Sequence, residues 1–346
     1  MGFGISGALM SSADPTAIPP AGLVDLAAER VGGKALIAND EFFAEKENLL
    51  KPGRGIFIPD KYTDRGKWMD GWESRRRRTP GHDWCVVQLG LRGIVKQVDI
   101  DTNHFLGNHP PFASIDAVCL TNGLPGEIES LSWSPILEQS PLDPGSQNLF
   151  QIPSDQTWTH LRLNIFPDGG VARFRVYGIV VPDWSKVKSG ELVDLAAVEN
   201  GGVPLSCSDM FFSSMNNLIM PGRSENMGDG WETKRRRGPG HDWIILKLGL
   251  PGTIRKIEVD TNHFKGNYPD TCSIEGCVAP GASTEELAAA QWSEILPMTK
   301  LEAHTQHFFE RELSSIENCT HVRLNIYPDG GVSRLRVCGM PVLTPA

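Results

Sequence analysis

With 346 residues the chain is too long for one average domain and long enough for two, each able to bury a core without disulfides or metals. Charged residues at 22% and hydrophobic ones at 40% describe a folded protein rather than a disordered one, and a formal net charge of -9 argues against a general nucleic-acid binder. Seven cysteines, Cys85, Cys119, Cys207, Cys272, Cys277, Cys319 and Cys338, show neither zinc-finger spacing nor a disulfide framework, which points to a reducing cytoplasm.

Residues 1–20 contain no Lys or Arg, so they lack the charged start of a secretory signal, and their apolar stretch is too short to span a bilayer. The opening MGFGIS fits a loose acylation pattern, but no basic cluster supports it, and a mobile arm is the expectation. No membrane partner is expected. LVDLAA at 23–28 reads as a short helix and returns at 192–197. Near 55–68 the first half of the chain carries about ten extra residues rich in Gly, Pro and charge, the composition of a surface loop.

Then come three motifs, each present twice. DGWESRRRRTPGHDW at 70–84 returns as DGWETKRRRGPGHDW at 229–243. DTNHFLGN at 101–108 returns as DTNHFKGN at 260–267. HLRLNIFPDGGVARFRV at 160–176 returns as HVRLNIYPDGGVSRLRV at 321–337. A period this long duplicates whole domains rather than solenoid units. The expected layout is an arm at 1–20, one repeat at 21–181, a linker at 182–190 and a second repeat at 191–346. Cysteines do not align between the copies: Cys85 corresponds to Ile244 and Cys338 to Tyr177, which argues against a shared thiol framework.

Between the motifs the chain reads as strand. Val98 and Ile100 alternate with Gln97, Asp99 and Asp101, as Ile257 and Val259 do with Lys256, Glu258 and Asp260. Trp84–Leu89 and Trp243–Leu248 are also β-rich. STEELAAA at 283–290 reads as a short helix. Many short strands with Gly/Pro turns predict an all-β protein, two tandem β-sandwiches of jelly-roll type. There is no alternating βα pattern and no glycine-rich phosphate loop. Alternation on both sides of Pro167-Asp168-Gly169-Gly170 predicts a closing hairpin, with Asn164 opposite Arg173 and Arg162 opposite Arg175; the second copy would oppose Asn325 to Arg334 and Arg323 to Arg336. Facing arginines repel, so protein carboxylates or an anionic ligand should lie beside them.

DGWE with its Arg run and PGHDW, then DTNHF-x-GN, then RLN-x-x-PDGG-x-x-R-x-R, resembles the allantoicase repeat over nearly the whole chain, from about Leu23 to Gly178 and from Leu192 to Gly339. The resemblance implies a galactose-binding or discoidin-like jelly roll, a homo-oligomer, and hydrolysis of allantoate to (S)-ureidoglycolate and urea. Both copies keep every motif. The sequence leaves open one shared site or two separate ones.

Allantoate carries one carboxylate and two ureido groups on a single carbon. Its hydrolysis needs a cation for the carboxylate, donors and acceptors for the ureido groups, and a proton for the departing nitrogen. Candidate acids and bases are His104, His263, Asp101, Asp260, Glu73 and Glu232. Candidate substrate contacts are Arg76, Arg77, Arg235, Arg236, Asn108, Asn267, Arg162, Arg175, Arg323 and Arg336. Each has a plainer reading. The Arg runs could be a solvated edge or a nucleic-acid patch, and the DTNH loop could be braced by Asx hydrogen bonds. His82–Asp83 and His241–Asp242 fit a turn better than an acid–base pair, because strand neighbours point to opposite faces. Trp72, Trp84, Trp133 and their partners Trp231, Trp243 and Trp292 read as packing. Carboxylate and His side chains in the DTNH loop could hold Mn²⁺ or Mg²⁺, and no other cofactor is implied. The alternative to an enzyme is a non-catalytic carbohydrate- or ligand-binding sandwich module.

Overall fold

The computed structural model describes residues 19–120, 128–188 and 190–343, so the expected arm lies almost wholly outside the described residues. Packing divides the chain into two compact units. One comprises Pro19–Val203, Leu248–Gly252 and the described residues from Met340, and the other Pro204–Lys247 and Thr253–Gly339. The first unit therefore takes in the expected linker, where Asp183 caps a turn of 3-10 helix at Trp184–Lys186.

In the first copy the long strands are β1 (Lys34–Ala38), β2 (Asp83–Asp101), β3 (Phe112–Val118), β4 (Ser134–Pro141), β5 (Gln147–Gln151), β6 (Thr157–Phe166) and β7 (Arg173–Val180). The second copy repeats them as β8 (Val203–Cys207), β9 (Asp242–Asp260), β10 (Thr271–Cys277), β11 (Ser293–Lys300), β12 (Gln306–Phe309), β13 (Cys319–Tyr327) and β14 (Arg334–Pro341). STEELAAA supplies the one α-helix among the described residues, Thr284–Ala288, closed by a Ser283–Glu286 capping box. LVDLAA is not helical. Val24–Asp25 pairs with β7 instead, because Asp25 and Val24 lie in register with Tyr177 and Gly178.

The two β stretches expected around 84–89 and 97–101 are one 19-residue strand, β2. Its first half pairs with β1 and β6, and the pairing continues through β3 to β4. Its second half pairs with β5 and β7. These are the two layers of a jelly-roll sandwich, and β2 belongs to both. A bulge carries it across, since pairing with β6 jumps from Trp158 opposite Gly93 to His160 opposite Gln88. Gly90 sits in that passage because a Cβ there would meet the Val31 carbonyl oxygen at 2.4 Å. Inside the sandwich Cys85, Val87, Val98, Ile100, Ile115, Leu161, Leu163, Phe174 and Val176 are wholly buried. Each large apolar side chain contributes about 1.5–3 kcal/mol. All seven cysteines are free thiols, and burial pushes those of Cys272 and Cys319 up to about 12.

The expected hairpin across Pro167–Gly170 does not form. Asn164 lies opposite Trp84 on one side and Ser114 on the other, while Arg173 lies opposite Asp101. The PDGG segment instead carries the chain from one layer to the other, so Arg162 and Arg175 belong to different layers. Alternation shows which residues share a face of a strand, but not whether the next strand is its neighbour or its counterpart across the core.

That crossing positions the site. Asp83 opens β2 opposite Ile165, and Asp101 closes it opposite Arg173, so both ends of β2 meet the crossing at one rim of the sandwich. Trp72–Glu73 joins them there by pairing with Gly170–Val171. Gly169 adopts φ +141°, and a Cβ there would meet the Asn108 carbonyl oxygen at 2.7 Å; only glycine lets the PDGG and DTNHFLGN loops approach this closely. Trp231–Glu232 pairs with Gly331–Val332 in the second copy.

Candidate active site

At the rim of the first copy lies a cavity of 530 Å³, lined by Phe43, Phe57 and Met69 on its apolar side and by Glu73, His104, Asn108 and Lys67 on its polar side. Glu73 is fixed by its backbone, which exchanges hydrogen bonds with Ala44. The Asn108 amide donates to Glu73 Oε1 at 2.7 Å. Burial raises the Glu73 pKa above the ordinary carboxyl value, against the lowering effect of that one hydrogen bond. His104 stands exposed at φ +67°, with its ring 5.6 Å from that of Phe57. Its neighbour Phe105 is fully buried and holds the loop down. Three of the sequence candidates thus share one concavity: Glu73, His104 and Asn108.

Other candidates are engaged elsewhere. Asp101 receives Arg54 through Nε and Nη2, both at 2.8 Å, and Asp260 receives Arg223 in the same way at 3.0 and 3.2 Å. These buried carboxylates brace the loop instead of facing the cavity. Among the described residues no three His, Cys, Asp or Glu side chains converge to hold a metal ion. Arg77 donates its backbone N–H to Asp168 and its guanidinium to Asp83, while Arg236 does the same to Asp329 and Asp242. They tie the Arg runs to the PDGG crossings. Arg76 and Arg235 are exposed and make no hydrogen bond or ion pair among the described residues.

Arg175 donates to the Leu50, Lys51 and Gly53 carbonyls, and Arg336 to those of Met220 and Gly222, so both secure main chain. The anions expected beside the sheet arginines are protein carboxylates. Arg173 bridges Asp70 at 2.7 Å, Arg334 bridges Asp229 at 2.8 Å, Arg162 bridges Asp116 at 2.7 Å and Arg323 bridges Glu275 at 2.6 Å. Arg162 and Arg323 also lie over the Trp133 and Trp292 rings, at 4.9 and 4.7 Å. Trp72 and Trp231 are wholly buried.

His82 and Asp83 are not partners: Asp83 takes Arg77 and Asn39, while the His82 ring rests on Phe166 at 4.6 Å. In the second copy the His241 ring rests likewise on Tyr327, and Nε2 lies 3.2 Å from Asn325 Oδ1. Sequence reasoning missed Arg54, Arg223, Lys67 and Phe57. The first two close a repeated Pro-Gly-Arg, at 52–54 and 221–223, too short to stand out among the longer motifs, and the last two lie in the insert, which reads as an ordinary surface loop. The insert does lie at the surface, and folds into a small hairpin that pairs Tyr62–Thr63 with Gly66–Lys67. Lys67 is nonetheless turned toward the cavity.

The rim, with its polar loops duplicated on a duplicated jelly roll, has known relatives. A family model described as the allantoicase repeat matches residues 24–181 and 193–342. A probable allantoicase of Pseudomonas aeruginosa (strain UCBPP-PA14) is 51% identical over 322 residues, covering 92% of this chain and 96% of that one. An allantoicase of Dictyostelium discoideum is 49% identical over 322 residues, covering 92% and 87%. The crystal structure of allantoicase from Saccharomyces cerevisiae matches with a TM-score of 0.79 at 38% identity, covering 92% of this chain and 93% of that one. The duplicated motifs, the fold they build and these likenesses agree, and the chain belongs to the allantoicase family.

Proposed function

We propose that the chain hydrolyses allantoate to ureidoglycolate and urea, and that Glu73 moves the protons. The observation that carries this reading is the pairing of Glu73 with Asn108 inside the rim cavity, where burial favours the proton-bearing carboxyl. The reaction requires a proton for the nitrogen of the departing urea and a group to take a proton from water. A single carboxyl can do both in turn. It gives its proton to the leaving nitrogen as the C–N bond breaks, then accepts one from the water that bonds to the central carbon. The same carboxyl serves direct displacement and loss of urea followed by hydration. Asn108 holds Glu73 Oε1 and leaves the other oxygen to face the substrate, while His104 at the mouth of the cavity is placed to hydrogen-bond a ureido oxygen.

Urea release from allantoate by the purified protein tests this directly. Glu73→Gln should lower kcat by about 10²–10⁴-fold while the fold persists. Because Glu73 acts first as an acid, kcat should fall as pH rises through its pKa, and the raised value carries that limb toward neutrality. Undiminished turnover in the Gln variant would remove Glu73 from the mechanism.

A further inference from the structure

We infer that each chain holds one productive site, in the first copy, and that Lys67 is the cation that binds the substrate carboxylate there. This rests on the reading of the rim cavity as the allantoate site. The two copies share the Glu–Asn pair, since Asn267 donates to Glu232 Oε1 at 2.5 Å just as Asn108 does to Glu73. Around that pair they differ in three ways.

First, Lys67 lies in the insert, a loop that the second copy lacks, where only Ser224–Gly228 separate Arg223 from Asp229. Second, the short loop of the second copy brings in Met227, whose sulfur lies 3.9 Å from the Asn267 amide nitrogen; Asn267 is half-buried where Asn108 is exposed. Third, His263 is engaged by the protein. Its Nε2 lies 2.9 Å from the Ser224 carbonyl oxygen, and its backbone N–H donates to His304 Nδ1 at 2.8 Å. The first copy has Gly145 where the second has His304, and its His104 stays exposed beside the cavity. The second rim therefore keeps the polar pair but sets a thioether against it, and its loop histidine is bonded within the protein.

Lys67 is suited to an anion. It is the one cation among the described residues lining the cavity, and it makes no salt bridge among them. Its Nζ lies 4.9 Å from the centre of the Phe57 ring and 4.7 Å from that of Tyr62, so the insert's own aromatics hold the ammonium in place. The carboxylate of a small ureido acid bound there would leave its central carbon toward Glu73.

The test compares four variants by steady-state urea release, with thermal unfolding to verify folding. Lys67→Met should raise KM for allantoate about 10- to 100-fold with kcat within about threefold, and Lys67→Arg should restore most of the loss. Glu73→Gln should abolish most turnover, whereas Glu232→Gln should retain more than half of it. Calorimetric titration of the Glu73→Gln protein with allantoate should give one site per chain. Equal losses in the two Glu variants, two sites per chain, or an unchanged KM in Lys67→Met would overturn the inference. If the unaltered protein releases no urea from allantoate, it is the functional reading that fails.

Discussion

The two rims of this molecule were built from the same words and have come to differ in what surrounds them. In the first copy the Glu73–Asn108 pair looks into a cavity shared with an exposed histidine and a lysine; in the second, the Glu232–Asn267 pair touches Met227 and its loop histidine bonds to main chain. The difference teaches that the duplicated motifs specify a rim, whereas the unduplicated residues beside them decide what surrounds its polar pair. Burial raises the pKa of both glutamates, so that feature is duplicated too, whereas the insert that carries Lys67 is not.

This comparison can be broken in several ways, and the largest expected effect is the loss of turnover in Glu73→Gln set against its retention in Glu232→Gln. Next is a stability contrast. The Arg173–Asp70 pair is buried on both sides, with side-chain exposures of 4% and 8%, while Arg334–Asp229 shows 3% and 24%. Asp70→Ala should destabilise the first copy by about 3 kcal/mol in urea unfolding, and Asp229→Ala should cost clearly less, because water already reaches the Asp229 carboxylate and weakens that pair. Equal costs would mean that solvent access is not what separates the copies.

A smaller effect concerns Asp99, which has no buried carboxyl counterpart in the second copy, where half-buried Glu258 accepts from Gln306. Burial drives the Asp99 pKa up to about 6, with the charge of Asp101 adding to it, and Oδ1 has no hydrogen-bond partner. The folded state then binds a proton more tightly than the unfolded one, so stability falls as pH rises from about 4 to 6. Asp99→Asn should remove that fall and stabilise the protein above pH 6, by roughly 2 kcal/mol. Unfolding midpoints at pH 4.5 and 7.5, compared between the two proteins, would show it. The smallest effect belongs to the exposed arginines: Arg76→Ala and Arg235→Ala should shift stability by less than about 0.5 kcal/mol and leave KM within about twofold. A large rise in KM for Arg76→Ala alone would move the carboxylate contact from Lys67 to the Arg run.

Much of this was legible in the sequence. The duplication, the all-β class and the candidacy of Glu73, His104 and Asn108 follow from motif spacing, alternation and residue type, because strand period and loop composition are local properties that a chain carries wherever it is placed; that these three share one cavity does not. The α-helix at Thr284–Ala288 was legible for the same reason, its capping box being written in four residues.

What the residues alone left open was decided by pairing at long range. Whether β6 meets β7 in one sheet or across the core depends on β2, which occupies both layers and gives each strand a different half to bond. That choice sent Arg175 to the main chain at Leu50–Gly53 and left Arg162 with Asp116. It also brought Lys67, from a loop with no counterpart in the second copy, to the cavity of Glu73. Local pattern determines what each segment can become; only the closed sandwich, by bringing distant backbone into register, determines which side chains keep a free charge.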